Sequence, residues 1–316
     1  MTLYKLYKNL KKPLNNSQFT FSAKRLNNSY DHFIGINGKD HLSLLFSTSK
    51  PFGKNVNIQN LKLNHGITAT IRINKKNIKK KFSILSCTSN NENLREIFLS
   101  SMENTISNLP KNLSEKEVYE KTKNLIELYN KIAKNRDKDL IGFWGELFVI
   151  LFINKVDKFL KAWHPNLSDN FDFYDNNQAL EVKTTQSNDR KHTFSYEQLN
   201  NKFNNIIIGS VMIRKSRSGK SLFDLKKEIE KKIRDKDNKK KLYEIYLTTI
   251  GLKSQDELNK IKYDFKYAKD NIKFFDSKFV PRIKEIPMRG LSKIKFESNL
   301  NSCEEIEDIS NFKIFT

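Results

Sequence analysis

The sequence contains few cysteines, and this limits the kinds of structure that it can form. Only two cysteines occur among 316 residues, at Cys87 and Cys303. Two are too few for a disulfide scaffold or for a cysteine-based zinc site. We therefore expect a chain that folds in a reducing, cytoplasmic environment.

Long hydrophobic runs are lacking as well. The longest, from Ile141 to Ile153, contains Glu146 and two glycines and is too short to span a bilayer. The segment from Met1 to Lys12 has four lysines and no apolar core of a signal peptide. No zinc spacing, phosphate-binding glycine loop or internal repeat is present. These absences predict a soluble protein with no membrane partner.

Acidic residues are too few to balance the basic ones. Lysine and arginine number 58 against 36 aspartates and glutamates, which gives a net charge of +22. Such an excess favours polyanion partners such as DNA or RNA. The chain is also rich in Asn, Ile and Lys, a composition that AT-rich genomes favour, so the charge permits a nucleic-acid partner without identifying one.

The length and the distribution of patterns predict several segments. A chain of this size suggests two domains, or one domain with large additions. We expect a β-rich N-terminal module, a helical connector, a mixed α/β (α+β) core and a C-terminal extension, over residues 1–88, 89–137, 138–250 and 251–316. The lysines at 75, 76, 79, 80 and 81 are expected in a connection between two strands. There they form either a solvated loop or a phosphate contact.

A strongly apolar helix is predicted from Asp139 to Asn154. Glu146 is the only charge between Ile141 and Ile153. A buried carboxylate must be paired, protonated or bound to a metal, so Glu146 is either half of an ion pair or part of a site. Gly142, one turn earlier, would let another element approach Glu146 closely.

The most informative stretch is a predicted hairpin that joins Phe171–Tyr174 to Ala179–Thr184. Alternation places Glu181 and Lys183 on one face of a strand. If the four residues 175–178 contain the turn, Asp172 lies directly across from Glu181. The hairpin then collects two acids and an ammonium group at one place. A Glu-x-Lys on a strand is also compatible with a solvated face or a cross-strand ion pair.

The chemistry of these three groups is that of a metal site. Two neighbouring carboxylates repel each other, and a hard cation such as Mg²⁺ relieves the repulsion by taking oxygen ligands. We expect Asp172, Glu181 and the carbonyl of Val182 to hold Mg²⁺, with Mn²⁺ as a substitute. Lys183 can then steady or deprotonate an attacking water, or offset charge that develops on phosphorus.

The elements around the hairpin are predicted in a definite order. Residues 157–163 are expected as a strand, Ser195 to Gln198 as the start of a short helix, and 205–214 as a strand buried on both faces. The order is helix, three strands, helix, strand. Residues 214–220 are expected as a flexible basic loop, and 243–249 as a further strand.

Several polar residues beside these elements are candidates for substrate contact. Gln198 either supports the site or is only the acceptor of a helix cap. Arg190 and His192 precede that helix and are either phosphate contacts or solvated. Further cations in the basic loop either contact a nucleic-acid backbone or face water: Arg214, Lys215, Arg217 and Lys220.

Five short segments carry a family resemblance. They are Gly145-Glu146, Asp172-Phe173, Glu181-Val182-Lys183-Thr184, Glu197-Gln198-Leu199 and Ser221-Leu222-Phe223-Asp224-Leu225. Together they resemble a bacterial group called PD-(D/E)XK motif proteins, within the restriction-endonuclease-like nuclease superfamily. The resemblance is specific over residues 138–235 and looser toward the N-terminus. Phe171 stands where the motif has proline.

The resemblance implies a fold, an activity and roles. It implies an αβββαβ core in which Asp172 and Glu181 bind metal, Lys183 is catalytic, Glu146 is a helper carboxylate and Gln198 a support. The expected activity is Mg²⁺-dependent DNA cleavage, in a bacterial restriction or phage-defence system with other defence proteins, as a homodimer or with a partner. The alternatives are a nucleic-acid-binding subunit that does not cleave, and a nuclease of the same fold that cuts RNA.

Overall fold

The computed structural model describes residues 3–13, 16–26, 30–73, 76–107, 109–134, 140–164, 171–175, 178–200, 205–251, 253, 255–284 and 293–315. The chain divides into two compact units. The first comprises Met1–Arg136 and Tyr243–Leu252, and the second comprises Asp137–Leu242 and Lys253–Thr316. None of the helices in the described part of the chain is both long and apolar enough to cross a membrane.

The first unit is rich in β-structure. Its strands are β1 (Thr20–Arg25), β2 (His32–Asn37), β3 (Leu42–Phe46), β4 (Thr48–Lys50), β5 (Val56–Ile58), β6 (Leu61–Ile73), β7 (Lys76–Cys87) and β8 (Leu113–Ser114). Its helices are α1 (Leu3–Lys8), α2 (Glu92–Ser107) and α3 (Glu115–Lys134). Helices α2 and α3 lie within residues 89–137, where the sequence predicts helical structure. A turn that begins at Asn37-Gly38 joins β2 to β3, which pair antiparallel.

The main sheet of this unit closes on itself. Its order is β1-β2-β3-β7-β6-β5, and β1 also pairs in parallel with β6, so that five strands form a small barrel. Apolar side chains fill it, among them Phe21, Phe33, Leu45, Ile71 and Phe82. The β-rich pattern of the N-terminal sequence is explained by this closed sheet, which leaves few free strand edges.

The expected lysine loop is a strand. Four of the lysines, at 76, 79, 80 and 81, lie in β7, which pairs with β6 out to Ile73 and Lys76. Lys75 lies outside the described residues. Lysine has a low β-propensity, but the ladder to β6 supplies the hydrogen bonds that hold this segment extended, so pairing overrides local preference.

The second unit contains the remaining elements. Its helices are α4 (Leu140–Ile153), α5 (Val156–Ala162), α6 (Tyr196–Leu199), α7 (Leu222–Lys232), α8 (Lys236–Ile250), α9 (Gln255–Asn259) and α10 (Phe265–Asn271). The part of α8 from Tyr243 onward belongs to the first unit. The strands are β9 (Phe173–Asp175), β10 (Gln178–Thr185), β11 (Lys191–Ser195), β12 (Ile206–Met212), β13 (Lys215–Lys220), β14 (Lys273–Asp276) and β15 (Lys295–Asn299).

A four-stranded sheet forms the centre of this unit. Its order is β14-β12-β10-β9, with β10 and β12 parallel and the outer pairs antiparallel. Every residue of β12 is buried, as its apolar run predicts. Strand β11 pairs instead with β15 as a separate ribbon. The molecule is thus of the mixed α/β class, and β11 does not join the central sheet.

Three sequence predictions between residues 157 and 249 are wrong. Residues 157–162 lie in helix α5, because Val156, Phe159 and Leu160 recur at helical spacing and are buried together. Residues 243–249 belong to α8, although their tyrosine, isoleucine and threonine content favours a strand; Tyr243, Tyr246 and Leu247 are buried on one helical side. Residues 215–220 form strand β13, held by bridges to Tyr263.

Candidate active site

The predicted hairpin forms with the predicted register. Gln178 pairs with Asp175, Ala179 with Tyr174 and Leu180 with Phe173. The next step of that register puts Asp172 across from Glu181. The two residues between Asp175 and Gln178 lie outside the described part of the chain. The Oδ2 atom of Asp172 accepts a 2.7 Å hydrogen bond from the backbone N–H of Val182, which fixes this carboxylate against β10.

Glu181, Lys183 and Gln198 form a bonded triangle. The Nζ atom of Lys183 lies 2.8 Å from Oε1 of Glu181. The same Oε1 accepts a 2.7 Å hydrogen bond from Nε2 of Gln198, and Lys183 Nζ also donates to Gln198 Oε1 at 3.5 Å. Glu181 is only 5% exposed, so this carboxylate is held by the two donors rather than by bulk water. The Lys183 ammonium also lies 5.1 Å from the ring centre of Phe194.

The side chain of Gln198 serves the helix cap and the site together. Ser195 Oγ accepts from the backbone N–H of Gln198 at 3.2 Å, and Gln198 Oε1 accepts from the backbone N–H of Ser195 at 3.0 Å. This is the predicted capping box of α6. Because the cap engages Oε1, the amide is oriented with Nε2 toward Glu181. The amide position is therefore set by the start of the helix.

Glu146 reaches the hairpin from α4. Its Oε2 accepts a 2.7 Å hydrogen bond from Trp163 Nε1 and lies 3.1 Å from Nε2 of His164. His164 in turn donates its backbone N–H to the carbonyl of Asp172 at 2.8 Å. One ligand atom from each of Glu146, His164 and Asp172 lies within 4.8 Å of the other two. This trio is able to hold a metal ion.

A glycine lets α4 approach the hairpin strand. A Cβ atom at Gly145 would overlap Thr184 Oγ1 on β10. Thr184 Oγ1 is buried and has no hydrogen-bond partner among the described residues. The sequence predicts such an approach at Gly142, whereas the structure places it at Gly145, beside Glu146.

The electrostatics of the site are those of crowded acids. Burial, and then the charges of Glu181 and Glu146, raise the pKa of Asp172 well above its usual value. Burial also raises the pKa of Glu181, against the opposing effect of Lys183. A bound divalent cation would remove this repulsion, and the oxygens of Asp172 and Glu146 are donors suited to Mg²⁺ or Mn²⁺. The imidazole of His164 adds a nitrogen donor, which suits Mn²⁺ better than Mg²⁺.

Arg190 and His192 lie in the interior rather than on a surface. Arg190 is 5% exposed and donates to Ser210 Oγ at 3.0 Å, and His192 is 4% exposed and lies 2.8 Å from the same hydroxyl. Burial, with the charges of Lys183 and Arg190, lowers the pKa of His192 to about 4. Both side chains brace β11 and β12, and neither is presented to solvent.

The cations of the expected basic loop lie on or beside β13. Lys215 and Arg217 are exposed. Arg214 pairs with Asp264 at 3.0 Å, and Lys220 with Glu228 at 2.7 Å. Lys215 and Arg217 line a cavity of about 400 Å³ together with Lys260 and Lys262. Of the four predicted nucleic-acid contacts in this segment, Lys215 and Arg217 are therefore the two that face solvent within a cluster of positive charges.

Two residues of the site, His164 and Trp163, are not among those that the sequence predicts. His164 is absent from the predicted site, although a histidine eight residues before Asp172 is a ligand by type. Trp163 was assigned to a strand, although its indole N–H requires a partner when buried. Both reach Glu146 because α5 turns the chain back alongside β9, with Trp163 bridged to Phe173.

A family model matches nearly the whole chain. It is described as "Putative PD-(D/E)XK family member (DUF4420)" and covers residues 3–301. No curated protein and no solved structure matches the chain.

Proposed function

The chain belongs to this PD-(D/E)XK family, DUF4420, and from that membership we propose that it is a metal-dependent nuclease. Members of the superfamily are typically nucleases. The observation that carries the proposal is the grouping of Glu146, His164 and Asp172, whose ligand atoms lie within 4.8 Å of one another. Glu181 is near enough for its charge to raise the pKa of Asp172, and Lys183 is bonded to Glu181. Crowded acids that are partly or fully buried and raise one another's pKa are costly unless they bind a cation or a substrate.

The metal site would combine the hairpin and α4. Asp172 and Glu181 would supply carboxylate oxygens, as would the Val182 carbonyl, while Glu146 and His164 complete the other side. A divalent cation held there would stabilise charge that develops on a phosphoryl group and would lower the pKa of an attacking water. We propose Mg²⁺, with Mn²⁺ able to replace it.

Lys183 would act on the water or on the phosphate. Its ammonium is 2.8 Å from Glu181 and is held by Gln198, so it is fixed rather than mobile. A fixed ammonium group can orient a water for in-line attack on phosphorus, or offset the charge of the transition state. Gln198 would keep both Lys183 and Glu181 in place through the cap of α6.

DNA is the substrate that we propose. The net charge of +22 favours a polyanion, and Lys215 and Arg217 offer exposed contacts to a phosphate backbone. Cutting both strands would need two such sites, and hence a homodimer or a partner protein. The resemblance to proteins of restriction and phage-defence systems leads us to propose the same setting for this chain.

The proposal is tested by cleavage of plasmid DNA with Mg²⁺ or Mn²⁺ titrated from zero. We expect Asp172→Ala, Glu181→Ala and Lys183→Ala each to lower the rate by at least about a hundredfold. Lys116→Ala, an exposed lysine on α3, is the matched control and should cut normally. Cleavage that persists in both the Asp172 and the Lys183 variants would overturn the assignment.

Two parallel measurements separate the alternatives. Gel-shift binding in the same buffers shows whether the protein binds DNA without cutting it under every metal, which would favour a binding subunit. A panel of single-stranded DNA, duplex DNA and RNA of one sequence tests the substrate. Preferential cutting of RNA would replace DNA as the substrate while keeping the proposed centre.

A further inference from the structure

The long hairpin of β6 and β7 has a polar face that the proposed catalytic centre does not use. In its outer half the pairs across the ladder are Thr68 with Lys81, Thr70 with Lys79, and Arg72 with Asn77. Residues directly across an antiparallel ladder lie on the same side of the sheet. These six residues, here called the ribbon face, therefore lie opposite to Ala69 and Ile71, which are buried in the barrel core.

The ribbon face has positive charges without acidic partners. Three of its six residues are cations and none is acidic. Arg72, Lys79 and Lys81 are exposed, and within the described part of the chain no ion pair or hydrogen bond engages their side chains. Lys80, on the other side of the ladder, is different because its ammonium lies 2.9 Å from Asp31. An acidic partner thus neutralises Lys80 on the other side of the ladder, whereas the three cations of the ribbon face have none among the described residues.

Edge protection accounts for only part of this pattern. Strand β3 pairs with β7 over Ser83–Cys87, and in the described part of the chain no strand covers the same edge over residues 76–82. Lysines on a free edge oppose unwanted pairing with another chain. That role would be met by any lysine of the strand. Edge protection of β7 does not require an arginine on β6, and it does not require that acidic residues be missing from the whole ribbon face.

We propose that the ribbon face binds the phosphate backbone of duplex DNA. The choice of DNA among polyanions rests on the proposed function. Strand β1 pairs with β6 over residues 70–72, so the ribbon face is part of the barrel sheet and presents its cations as a surface to the phosphate backbone. Lys79 and Lys81 are two residues apart, about 7 Å along the strand, and their flexible stems reach separate phosphates. The hydroxyls of Thr68 and Thr70 supply neutral donors between the charges.

The test is a salt titration of DNA binding by the full-length chain. Lys183→Ala is used as the background, in EDTA, with a fluorescent 30-base-pair duplex, so that cleavage plays no part. The ribbon variant combines Arg72→Gln, Lys79→Gln and Lys81→Gln. The control combines Lys116→Gln, Lys123→Gln and Lys131→Gln, which removes the same charge from exposed positions of α3 in the same unit.

We expect the ribbon variant to bind at least about tenfold more weakly at 100 mM salt, and its slope of log K against log salt to fall by about 2 to 3. The control variant should lose much less affinity for the duplex. Lys79→Arg with Lys81→Arg should bind normally, because the charge is kept. Thermal melting checks that each variant is folded, and exposed polar replacements are expected to melt within a few degrees of the parent.

Three results would overturn the inference: equal losses in the ribbon variant and the control, no loss in the ribbon variant, or tighter binding of a single strand than of the duplex. An increase in aggregation by the ribbon variant with unchanged affinity would assign the lysines to edge protection alone. The nuclease proposal is judged separately. A parent protein that binds duplex through the ribbon face but never cuts would leave this inference standing.

Discussion

At the scale of single residues, Asp172 shows how crowded carboxylates lower the stability of the folded protein when no metal is bound. Its pKa is raised in the folded state by burial and by Glu181 and Glu146, so its charged form is less favourable there than in the unfolded chain. Folding of the ionised carboxyl therefore costs free energy at neutral pH. The cost begins to shrink as the pH falls through the raised pKa and is gone once the pH lies below the ordinary pKa of 3.8, where the unfolded chain is protonated as well.

Asp172→Asn should consequently stabilise the protein when no metal is present. In EDTA at pH 7.5 we expect the midpoint of thermal unfolding to rise by about 2–6 °C. The gain should shrink at lower pH, because the native carboxyl is then protonated as well. Glu297→Gln, at an exposed position, is the isosteric control and should change little. A fall in the midpoint at pH 7.5 would contradict the repulsion described for these acids.

His164 should determine which metal binds more tightly. Its Nε2 lies beside Glu146 Oε2, and imidazole nitrogen suits Mn²⁺ better than Mg²⁺. We expect His164→Gln to weaken Mn²⁺ binding by about tenfold or more, with a smaller effect on Mg²⁺. Calorimetry, or the spin-resonance signal of free Mn²⁺, measures the affinity for Mn²⁺. Competition of Mg²⁺ against bound Mn²⁺ measures the affinity for Mg²⁺. Equal losses for both ions would remove His164 from the set of ligands.

Residue patterns predicted the hairpin correctly and the helix contacts incompletely. The register that places Asp172 across from Glu181 follows from alternation over a few residues, and the cap that orients Gln198 spans four. His164 and Trp163 reach Glu146 only after α5 has reversed the chain. That reversal depends on which apolar residues are buried together, and local propensity does not contain this information.

At the scale of elements, the contact between α4 and β10 positions the whole centre. Alanine normally stabilises a helix interior by about 1 kcal/mol relative to glycine. At Gly145 we expect alanine to destabilise the protein instead, because a Cβ atom there overlaps Thr184 Oγ1 and must push α4 and β10 apart.

We expect Gly145→Ala to lower the free energy of unfolding by about 1–3 kcal/mol and to reduce cleavage more than stability alone explains. Gly142→Ala is the matched control, one turn earlier and partly exposed on the same helix, and it should be neutral or stabilising. Thr184→Ala should partly rescue Gly145→Ala, since it removes the overlapping hydroxyl. Chemical denaturation measures each. Equal behaviour of the two glycine variants would show that the close contact has no role.

At the scale of the whole molecule, buried His192 should limit stability in acid. Its pKa is lowered from 6.5 to about 4, so the unfolded chain takes up a proton over a pH range in which the folded chain does not. Stability is therefore fully present above pH 6.5 and is lost as the pH falls toward 4, by on the order of 3 kcal/mol.

We expect urea unfolding between pH 7 and pH 4.5 to show this loss, and His192→Gln to flatten the dependence. The variant keeps a polar group near Ser210 Oγ but cannot be protonated in that range. An unchanged slope against pH in the variant would assign the acid sensitivity to other groups. The measurement needs no substrate or metal, so it is independent of the proposed activity.

The first compact unit is discontinuous in sequence, since it takes up Tyr243–Leu252 after more than a hundred residues of the second. Within it the Tyr243 hydroxyl donates to Glu96 Oε1 at 3.2 Å, which ties the returning segment to α2. During synthesis on the ribosome, the barrel and helices α1 to α3 would thus emerge long before Tyr243–Leu252, the last segment of the same unit. A nascent chain stopped near position 136 would carry an uncovered surface on α2, and chaperone capture of arrested chains should end only once the returning helix has left the exit tunnel.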